Sequence, residues 1–431
     1  MPYLLIYATV LLALLLVYLR RHKRKERGHL DDLTQAIASG LAEPQSLHPV
    51  VDPLRCIGSG SCAQACPEQA IGIINGKAVL TNGAACIGHS ACLAACPVEA
   101  IKLVFGTETR GVDIPNVRPN FESNVPGIFI AGELGGMGLI RKAAEQGRQA
   151  VGHIKARKVS ALAEFDLVIV GGGPAGMSAG LAAIENGLRY KLIEQEDSLG
   201  GSVYHYPRNK IAMTAPVKLA LVGSINMGEI QKEKLLEFWR DVVDKTGLAI
   251  SLGETMTNVE RRDDGTFIVQ TSKARYATRS VLLAIGRRGS PRKLHVPGEE
   301  SSKVVYRLVD AEQYRRMAVL VVGGGDSALE AAIALSEQPG TAVVLSYRGD
   351  AFARVKAKNR LGLEGQERAG RIRVELNSQV DSIHRTNVRL SIQGRRQELA
   401  NDVVIVCAGG VLPTPLLQKV GIEFETKYGT A

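Results

Sequence analysis

The most apolar part of the chain is its beginning. Residues 2–19 read PYLLIYATVLLALLLVYL and contain no charged side chain. A helix of this length just spans the hydrocarbon core of a bilayer. Six of the next eight residues, 20–27, are Lys or Arg, and the positive-inside rule puts such a flank in the cytoplasm. The pattern predicts one transmembrane helix, with the remaining chain on the cytoplasmic side of the cell inner membrane.

Turn-forming residues follow this segment. Residues 28–49 contain two Gly, two Pro and one short amphipathic stretch, which predicts a tether. The length of 431 residues then allows roughly two to three further domains of about 150 residues each. The net charge of +10 comes in good part from residues 20–27. Beside an apolar helix, such a basic run is typical of contact with anionic lipid, so we expect no nucleic-acid partner.

Farther along, an apolar strand pattern at residues 165–170 runs directly into glycines, then into a small-residue helix and a second strand. The glycines are Gly171, Gly173 and Gly176, and the second strand ends at Glu194. Strand, G-x-G-x-x-G, helix, strand and acid are the ordered parts of a dinucleotide site. The glycines let the backbone approach a pyrophosphate, and Glu194 can accept hydrogen bonds from ribose hydroxyls.

A second site of this kind follows the apolar run at residues 318–322. Its small residues are Gly323, Gly325 and Ala328. No acid ends the next strand, at residues 341–345, whereas Arg348 and Arg354 lie shortly after it. Two arginines near this position suit a 2′-phosphate, so the pattern favours NADP over NAD.

Six of the seven cysteines form two runs offset by thirty residues, and each run ends in Cys-Pro. Thiolates at this spacing indicate an iron–sulfur cluster, because iron needs soft ligands from a tight loop and one distant residue. Disulfides would suit a small secreted domain, and zinc gives no reason for the Pro. The candidate ligands are Cys56, Cys62, Cys66, Cys86, Cys92 and Cys96.

The two runs resemble a two-cluster bacterial ferredoxin. The pattern of that family is C-x2-C-x2-C-x3-C-P, with the last Cys ligating the other cluster. The resemblance implies one cluster on Cys56, Cys62 and Cys96 and another on Cys86, Cys92 and Cys66. The second Cys of each run is replaced, by Ser59 and by His89. Each site therefore predicts either a three-iron cluster or a four-iron cluster whose last iron takes another ligand, for which Ser59 and His89 are candidates.

From residue 166 to residue 421 the chain resembles the thioredoxin-reductase branch of the two-dinucleotide flavoproteins. The shared features include Gly200-Gly201, the strand at residues 281–286 and the linker at residues 291–299. The resemblance implies FAD at the first glycine motif and NADPH at the second. Members that reduce disulfides carry a C-x-x-C before the second motif, where residues 305–314 of this chain contain no cysteine. A dithiol relay is excluded, and the lone Cys407 is predicted to be an inert core residue.

One part of that flavoprotein pattern is out of order. The family ends its FAD domain with a strand and a Gly-acid turn that reaches the flavin ribityl chain. Here the matching segment, residues 125–147 with Gly132 and Glu133, precedes the first glycine motif. We interpret this as a circular permutation of the FAD domain, which is tolerable because domain termini often lie close together.

The predicted fold class is α/β, with two Rossmann-like domains, an N-terminal α+β ferredoxin domain and one transmembrane helix. The domain order is anchor and basic flank 1–27, tether 28–49, two-cluster ferredoxin-like domain 50–105, permuted closing segment of the FAD domain 106–157, FAD-binding domain 158–288, NAD(P)-binding domain 289–398, and return segment of the FAD domain 399–431.

The predicted function is that of a membrane-anchored oxidoreductase. Electrons would pass between NAD(P)H and an unidentified acceptor or donor, such as a quinone, cytochrome or redox protein, through FAD and two clusters. Two alternatives remain: NADP reduction in the reverse direction, and a redox sensor that binds the cofactors without turnover. No catalytic acid, base or nucleophile is identifiable in the sequence, and a homodimer is one conceivable assembly.

Overall fold

The structure is a computed structural model of the whole chain. It describes all residues except 1, 39–41, 45–46, 87, 89, 109–110, 137, 158–160, 207–210, 214–215, 227, 288, 353–354, 356 and 430–431. For residues 2–6, 8–10, 211, 213, 290 and 357 it describes the backbone only. The chain divides into two compact units, of which the first is essentially Met1–Val112 and the second is Asp113–Phe352 with Ala357–Thr426.

The helices in chain order are α1 Pro2–Ala38, α2 Ser61–Gln64, α3 Ala91–Ala94, α4 Ile140–Ala156, α5 Pro174–Glu185, α6 Lys232–Thr246, α7 Asp326–Ser336, α8 Ala357–Arg368 and α9 Thr414–Lys419. The first strands are β1 His48–Val51, β2 Ile71–Ile74, β3 Lys77–Leu80, β4 Ile101–Val104, β5 Val112–Pro115, β6 Ile128–Ile130, β7 Leu167–Val170, β8 Tyr190–Ile193, β9 Ile211–Met213, β10 Val217–Leu219, β11 Gly223–Ile225 and β12 Glu229–Gln231. The remaining strands are β13 Met256–Arg261, β14 Phe267–Thr271, β15 Arg275–Thr278, β16 Val281–Leu283, β17 Ser290–Pro291, β18 Val304–Val305, β19 Ala318–Val322, β20 Ala342–Tyr347, β21 Ile372–Leu376, β22 Ser378–Ile383, β23 Asn387–Ile392, β24 Arg395–Ala400, β25 Val403–Val406, β26 Gly410–Val411 and β27 Phe424–Lys427.

The first unit repeats one small motif around the cysteines. Strand β1 pairs antiparallel with β4, and β2 pairs antiparallel with β3. Each cysteine run contributes a one-turn helix, α2 or α3, that starts after a residue in the left-handed region, Gly60 or Ser90. The ferredoxin-like part begins at His48, two residues before the boundary expected from the sequence.

The predicted tether at residues 28–49 is wrong for its first part, which is helical. Helix α1 continues through Gly28 to Ala38 and contacts the β2–β3 hairpin. The His29 ring accepts the Ile73 N–H at 3.0 Å, and the Glu26 carboxylate accepts the Asn75 N–H at 2.6 Å. These long-range bonds stabilise a helix that Gly28, at a cost of about 1 kcal/mol, does not interrupt.

The predicted transmembrane helix is not supported either. Within the part of the chain whose side chains are described, no helix has an apolar stretch that would reach across a bilayer.

The second unit contains two parallel sheets, the first of which we call the flavin sheet. Its strand order is β6-β16-β7-β8, and all of its pairings are parallel. Strand β6 precedes β7 in sequence by more than thirty residues, yet it pairs with β16, which lies far downstream. This chain order is the one that a circular permutation produces. The ends of the permuted closing segment, at residues 106 and 157, stay a prediction.

Helix α4 covers the helix that follows the first glycine motif. The two helices approach so closely that a Cβ added to Gly147 of α4 would lie 2.0 Å from the Ala175 carbonyl oxygen of α5. Ala150 and Val151 of α4 are fully buried in the same apolar cluster as Met177 and Leu181 of α5. The segment between the ferredoxin-like part and the first glycine motif thus contributes both a strand and a helix to the second unit.

The second parallel sheet, which we call the nucleotide sheet, has the order β18-β25-β19-β20-β21. In both parts of the chain an antiparallel three-stranded meander comes just before the strand that completes the parallel sheet. The meander β13-β14-β15 precedes β16 of the flavin sheet, and β22-β23-β24 precedes β25 of the nucleotide sheet. Strand β25 pairs with both β19 and β18, so the predicted boundary of the return segment at residue 399 is wrong. The sequence of an apolar strand does not show which strands it pairs with. In the structure, Val404 of β25 is buried in the same apolar cluster as Leu320 of β19.

The chain returns to the flavin side only after β25. Strand β26 pairs with β17, and the side chains of Leu417 and Ile422 are buried in the cluster that contains Ile128, Ile130 and Val168. The Asn124 amide donates to the Gly421 carbonyl oxygen at 2.8 Å, which connects the end of the chain with the segment that leads into β6.

Replacing Gly147 by Ala should destabilise the protein, because the added methyl group would overlap the Ala175 carbonyl. We expect a loss of about 1–3 kcal/mol in the free energy of unfolding, as for other overpacked cores. Gly152 lies on the same helix with nothing within 4 Å of an added Cβ. Its replacement by Ala should be neutral or stabilise by up to about 1 kcal/mol. Urea unfolding measures both variants, and equal stability would contradict the close α4–α5 packing.

Candidate flavin, nucleotide and iron–sulfur sites

The carboxyl ends of the flavin sheet bring the predicted FAD residues to one edge. Gly171 and Gly173 follow β7, Glu194 follows β8, and Glu133 follows β6. Ligands of open parallel sheets bind outside this edge, where loops and helix N-termini meet. Helix α5 begins directly after Gly173, so its first N–H groups point to the same place as the strand ends.

Neighbouring backbone atoms leave no room for a side chain at two glycines of the first motif. Gly171 has φ of +111°, and a Cβ there would lie 2.4 Å from the Ala284 carbonyl oxygen. A Cβ on Gly176 would lie 1.7 Å from the Gly171 carbonyl oxygen, so only glycine permits the tight strand–helix turn. The turn brings the glycine backbone and the N-terminus of α5 to the same edge of the sheet, which fits the pyrophosphate that the motif predicts.

The Glu194 carboxylate is buried at this edge and has a defined orientation. One carboxylate oxygen accepts the Gly172 N–H at 2.5 Å and the other accepts the Glu196 N–H at 3.0 Å. These bonds keep the side chain against the glycine loop while leaving lone pairs for further donors. The geometry fits a ribose-binding acid, the role that the sequence predicts.

Glu133 lies where the flavin sheet meets the start of the 3-10 turn Glu133–Gly135. Its carboxylate is 3.7 Å from the Cβ position of Gly286, which follows β16. Burial lowers the pKa of the neighbouring Arg287, and the negative charges of Glu133 and Asp113 partly oppose that shift. The upstream residue Glu133 therefore lies beside the end of β16 although it precedes the glycine motif in sequence.

The second glycine motif repeats this geometry on the nucleotide sheet. A Cβ on Gly323 would lie 2.3 Å from the Cys407 carbonyl oxygen and 3.1 Å from the Ala328 methyl group. Gly325 is the residue before α7, whose N-terminus faces the same edge. Arg348 follows β20 and is exposed, whereas Arg354 lies outside the described residues. The small residues fit a second dinucleotide, and the role of the two arginines stays a prediction.

The first cysteine set lines a small cavity that is partly open to solvent. Cys56 and Cys62 of the first run line it together with Cys96 of the second run, which is the crossing-over that the ferredoxin pattern implies. Ser59 also lines the cavity, and its side chain is exposed to solvent. The rest of the wall is apolar, formed by residues that include Val51, Ile73, Ala78, Val98 and Ile101.

The backbone holds this first set in place. The Ala78 N–H donates to Cys56 Sγ at 3.5 Å and the Ala100 N–H donates to Cys96 Sγ at 3.2 Å. A Cβ on Gly58 would lie 2.1 Å from the Gly76 carbonyl oxygen, so the loop that carries Ser59 lies directly on the β2–β3 turn. N–H groups aimed at sulfur are a feature of iron–sulfur sites, where they tune the cluster potential.

The second set consists of Cys66, Cys86 and Cys92. The Ala70 N–H donates to Cys66 Sγ at 3.4 Å, as Ala100 does to Cys96 in the other set. Burial, together with the smaller effect of the nearby thiols Cys86 and Cys66, raises the pKa of Cys92 to about 11. Burial likewise raises the pKa of Cys62 and of Cys86. Bound iron would offset this cost, because it ligates the deprotonated form.

A single metal ion fits these sets poorly. Among the described side chains, which exclude His89, no three His, Cys, Asp or Glu residues converge closely enough to ligate one ion. A cluster requires less convergence, because each thiolate ligates a different iron. The donor chemistry and the cavity therefore fit an iron–sulfur cluster at the first set, while ligation by each cysteine stays a prediction.

Arg307 is a residue that the sequence analysis missed. It lies just after β18, in the stretch where disulfide-reducing relatives carry C-x-x-C, and it contacts the His205 ring. Its guanidinium is also 3.7 Å from the Glu196 carboxylate. A charged cluster thus replaces the dithiol. Cys407 offers no substitute thiolate, since burial raises its pKa to about 12.

A family model described as "Pyridine nucleotide-disulphide oxidoreductase" matches residues 168–430, which is more than half of the chain. The chain belongs to this family. A second model, described as a 4Fe-4S dicluster domain, matches residues 48–97. The chain is therefore an FAD-dependent oxidoreductase of this family that also carries a 4Fe-4S ferredoxin-type domain.

Relatives of known identity agree with this assignment. The chain is 28% identical over 269 residues to the bacilliredoxin reductase Bdr of Bacillus subtilis, covering 61% of this chain and 82% of that protein. It is 34% identical over 193 residues to a ferredoxin–NADP reductase of Limosilactobacillus fermentum, covering 44% of this chain but only 55% of the relative. The solved structure of bacillithiol disulfide reductase Bdr (YpdA) from Staphylococcus aureus matches with a TM-score of 0.51 at 26% identity, covering 60% of this chain and 80% of that one.

Replacing Ser59 by Cys should complete the four-cysteine pattern at the cavity. We predict that the unmodified protein contains at least one three-iron cluster, which gives an EPR signal when oxidised. The S59C variant should bind more iron and lose part of that signal, because the new thiolate supplies the missing ligand.

Ser61→Cys is the matched control, since Ser61 is two residues away and does not line the cavity. It should leave the iron content and the signal unchanged. An unmodified protein without any oxidised-state signal, showing only four-iron signals after reduction, would contradict the prediction.

Proposed function

We propose that this protein moves electrons between NADPH and two iron–sulfur clusters by way of FAD, within one chain. When bound, FAD would supply hydride acceptance and single-electron release, and the clusters would carry single electrons. The residues of the chain would bind and orient these groups. The two glycine loops would bind the dinucleotides, and the two cysteine sets would ligate iron.

The observation that carries the proposal is the cavity on which both cysteine runs converge. Cys56 and Cys62 face it together with Cys96, which is thirty residues or more away in sequence. A structural or zinc-binding cysteine cluster gives no reason for this interleaving, whereas a pair of neighbouring clusters requires it. Helices α2 and α3, which carry Cys62 and Cys92, contact each other, so the two cysteine sets lie side by side. This arrangement suits passage of electrons between the two sets.

The absence of a C-x-x-C dithiol also supports electron transfer between the flavin and the clusters. Disulfide reductases of the family need a thiol pair next to the flavin, and here the corresponding stretch contains Arg307 instead. Electrons on the flavin then need another exit or entry, for which the ferredoxin-type domain is the available group in this chain. Similarity to ferredoxin–NADP reductases supports flow in either direction, including NADP reduction by reduced clusters.

An anaerobic titration with NADPH tests the proposal. The flavin absorbance should bleach first, and reduced iron–sulfur EPR signals should then appear without added mediator. A Cys56→Ser variant should bleach normally but lose signal from one cluster, whereas Cys407→Ser should behave as the unmodified protein because Cys407 belongs to neither cysteine run. Bleaching without any cluster reduction would contradict electron transfer, and no bleaching would favour a redox-sensing protein.

We further propose that the N-terminal helix attaches the protein to the cytoplasmic face of the cell inner membrane. Leu11, Leu15 and Tyr18 are exposed apolar side chains on α1, and the basic residues 20–27 follow them directly. Exposed apolar area next to Lys and Arg is the combination that binds anionic bilayers. The acceptor or donor would then be a quinone, cytochrome or redox protein of that surface.

Deletion of residues 1–25 should abolish sedimentation with anionic vesicles while leaving flavin and iron content unchanged. The deletion retains Glu26 and His29, which bind the β2–β3 hairpin. Full-length protein should release from the vesicles at high salt less completely than a peptide bound by charge alone, because apolar contact is not screened. Undiminished sedimentation of the shortened protein would contradict the proposed contact.

A further inference from the structure

The ferredoxin-type domain consists of two halves that can be compared residue by residue, because the same backbone contacts recur in both. The Thr81 N–H donates to the Ala70 carbonyl oxygen at 2.9 Å, and the Asp52 N–H donates to the Ala100 carbonyl oxygen at 2.8 Å. The two acceptors are thirty residues apart, as the two cysteine runs are. Strand β3 beside the first cysteine set therefore corresponds to β1 beside the second, with Thr81 equivalent to Asp52.

A loop contact fixes the same register at the other end of these strands. A Cβ on Gly58 would lie 2.1 Å from the Gly76 carbonyl oxygen, and a Cβ on Gly88 would lie 2.6 Å from the Leu47 carbonyl oxygen. Gly76 and Leu47 are thus equivalent as well. The two residues after Gly76 correspond to the two residues after Leu47, and both pairs differ in chemistry.

Lys77 places a cation beside the first cysteine set. Its side chain is half-buried, and its ammonium group donates to the Cys56 carbonyl oxygen at 2.6 Å. The equivalent residue beside the second set is His48. A lysine is charged at neutral pH, whereas an ordinary imidazole is mostly uncharged there. The first set thus has a permanent cation at a position where the second set has a histidine.

The next residue of each strand differs in its ability to donate a hydrogen bond. The Ala78 N–H donates to Cys56 Sγ at 3.5 Å. Pro49 is the equivalent residue beside the second set, and proline has no N–H. The N–H···S bond to the last cysteine of each run, by contrast, occurs at both sets. The bond from Ala78 to sulfur therefore distinguishes the first set from the second.

A carboxylate makes a third difference, at the second set. Burial, together with smaller effects of the Cys66 thiol and the Glu68 carboxylate, raises the pKa of Cys86. A negative charge is thus close to a cysteine of the second set. Val98, thirty residues farther along the chain, occupies the place of Glu68 at the first set, where it lines the cavity. All three differences favour additional negative charge at the first set over the second.

We propose that Lys77 and the Ala78 N–H give the first cysteine set the higher reduction potential of the two, an inference that rests on the proposed presence of two iron–sulfur clusters. Reduction adds one electron, and with it one negative charge, while no bond breaks and no proton has to move. A cation and an N–H group aimed at sulfur stabilise the reduced form, and a nearby carboxylate destabilises it. A single electron shared by the two sets therefore rests mainly at the first set, and the second set passes it on.

A redox titration of the full-length protein at pH 8, followed by the EPR signals of both clusters, tests this assignment. Lys77→Met should lower the higher of the two midpoint potentials. The expected change is about threefold to tenfold in the reduction equilibrium, or about 30–60 mV for one electron. Lys77→Arg keeps the charge and should retain most of the potential. Lys102→Met removes an exposed lysine of β4 that does not line the cavity, and it should leave both potentials unchanged.

Two further variants address the second set. Glu68→Gln removes the negative charge and Pro49→Ala supplies an N–H, so each should raise the lower of the two potentials. If Lys77→Met loses iron, Lys77→Gln removes the same charge and carries the same expectation.

Two unchanged potentials in an iron-replete Lys77→Met protein, or a fall of the lower potential instead of the higher one, overturn this inference and leave the proposed function intact. An unmodified protein with fewer than two reducible clusters overturns the proposed function, and this inference with it.

Discussion

The parallel pairing of β6 with β16 is the contact on which the organisation of the second unit depends. All three residues of β6 are buried, and their backbone groups complete a sheet whose other strands lie downstream in sequence. Without β6, the edge of β16 would present unpaired backbone groups and uncovered apolar surface. The same segment supplies α4, which packs on α5 through Gly147. A sequence that directly follows the ferredoxin-type domain is therefore built into the flavin domain.

The flavin sheet and the nucleotide sheet have the same order of strands along the chain. In the nucleotide sheet, β18 precedes β19 in sequence and pairs with β25, which follows the meander. In the flavin sheet, β6 precedes β7 and pairs with β16 in the same way. Both domains thus start with the edge strand, continue through the glycine motif and the meander, and close with the strand between them.

The predictable features are those for which few residue types meet the physical requirement. Gly176 tolerates no Cβ, and the Cys-Pro runs supply thiolates at a spacing that little else explains, so sequence alone indicates both. The tether was wrong because the His29–Ile73 bond, between residues 44 apart, decides that α1 continues. Strand β25 was assigned to the wrong domain because its apolar pattern does not name its neighbours. Arg307 was missed because its partners His205 and Glu196 lie about a hundred residues away in sequence.

Residues before the first glycine motif form part of the flavin domain in this structure, which a split of the chain tests. Residues 1–157 and 161–431 are co-expressed as two pieces with separate affinity tags. The two pieces should co-purify with FAD, whereas residues 161–431 alone should neither bind FAD nor remain soluble, because β6 and α4 are missing. A stable piece 161–431 that carries a full complement of FAD without its partner would show that β6 and α4 are not part of the flavin domain.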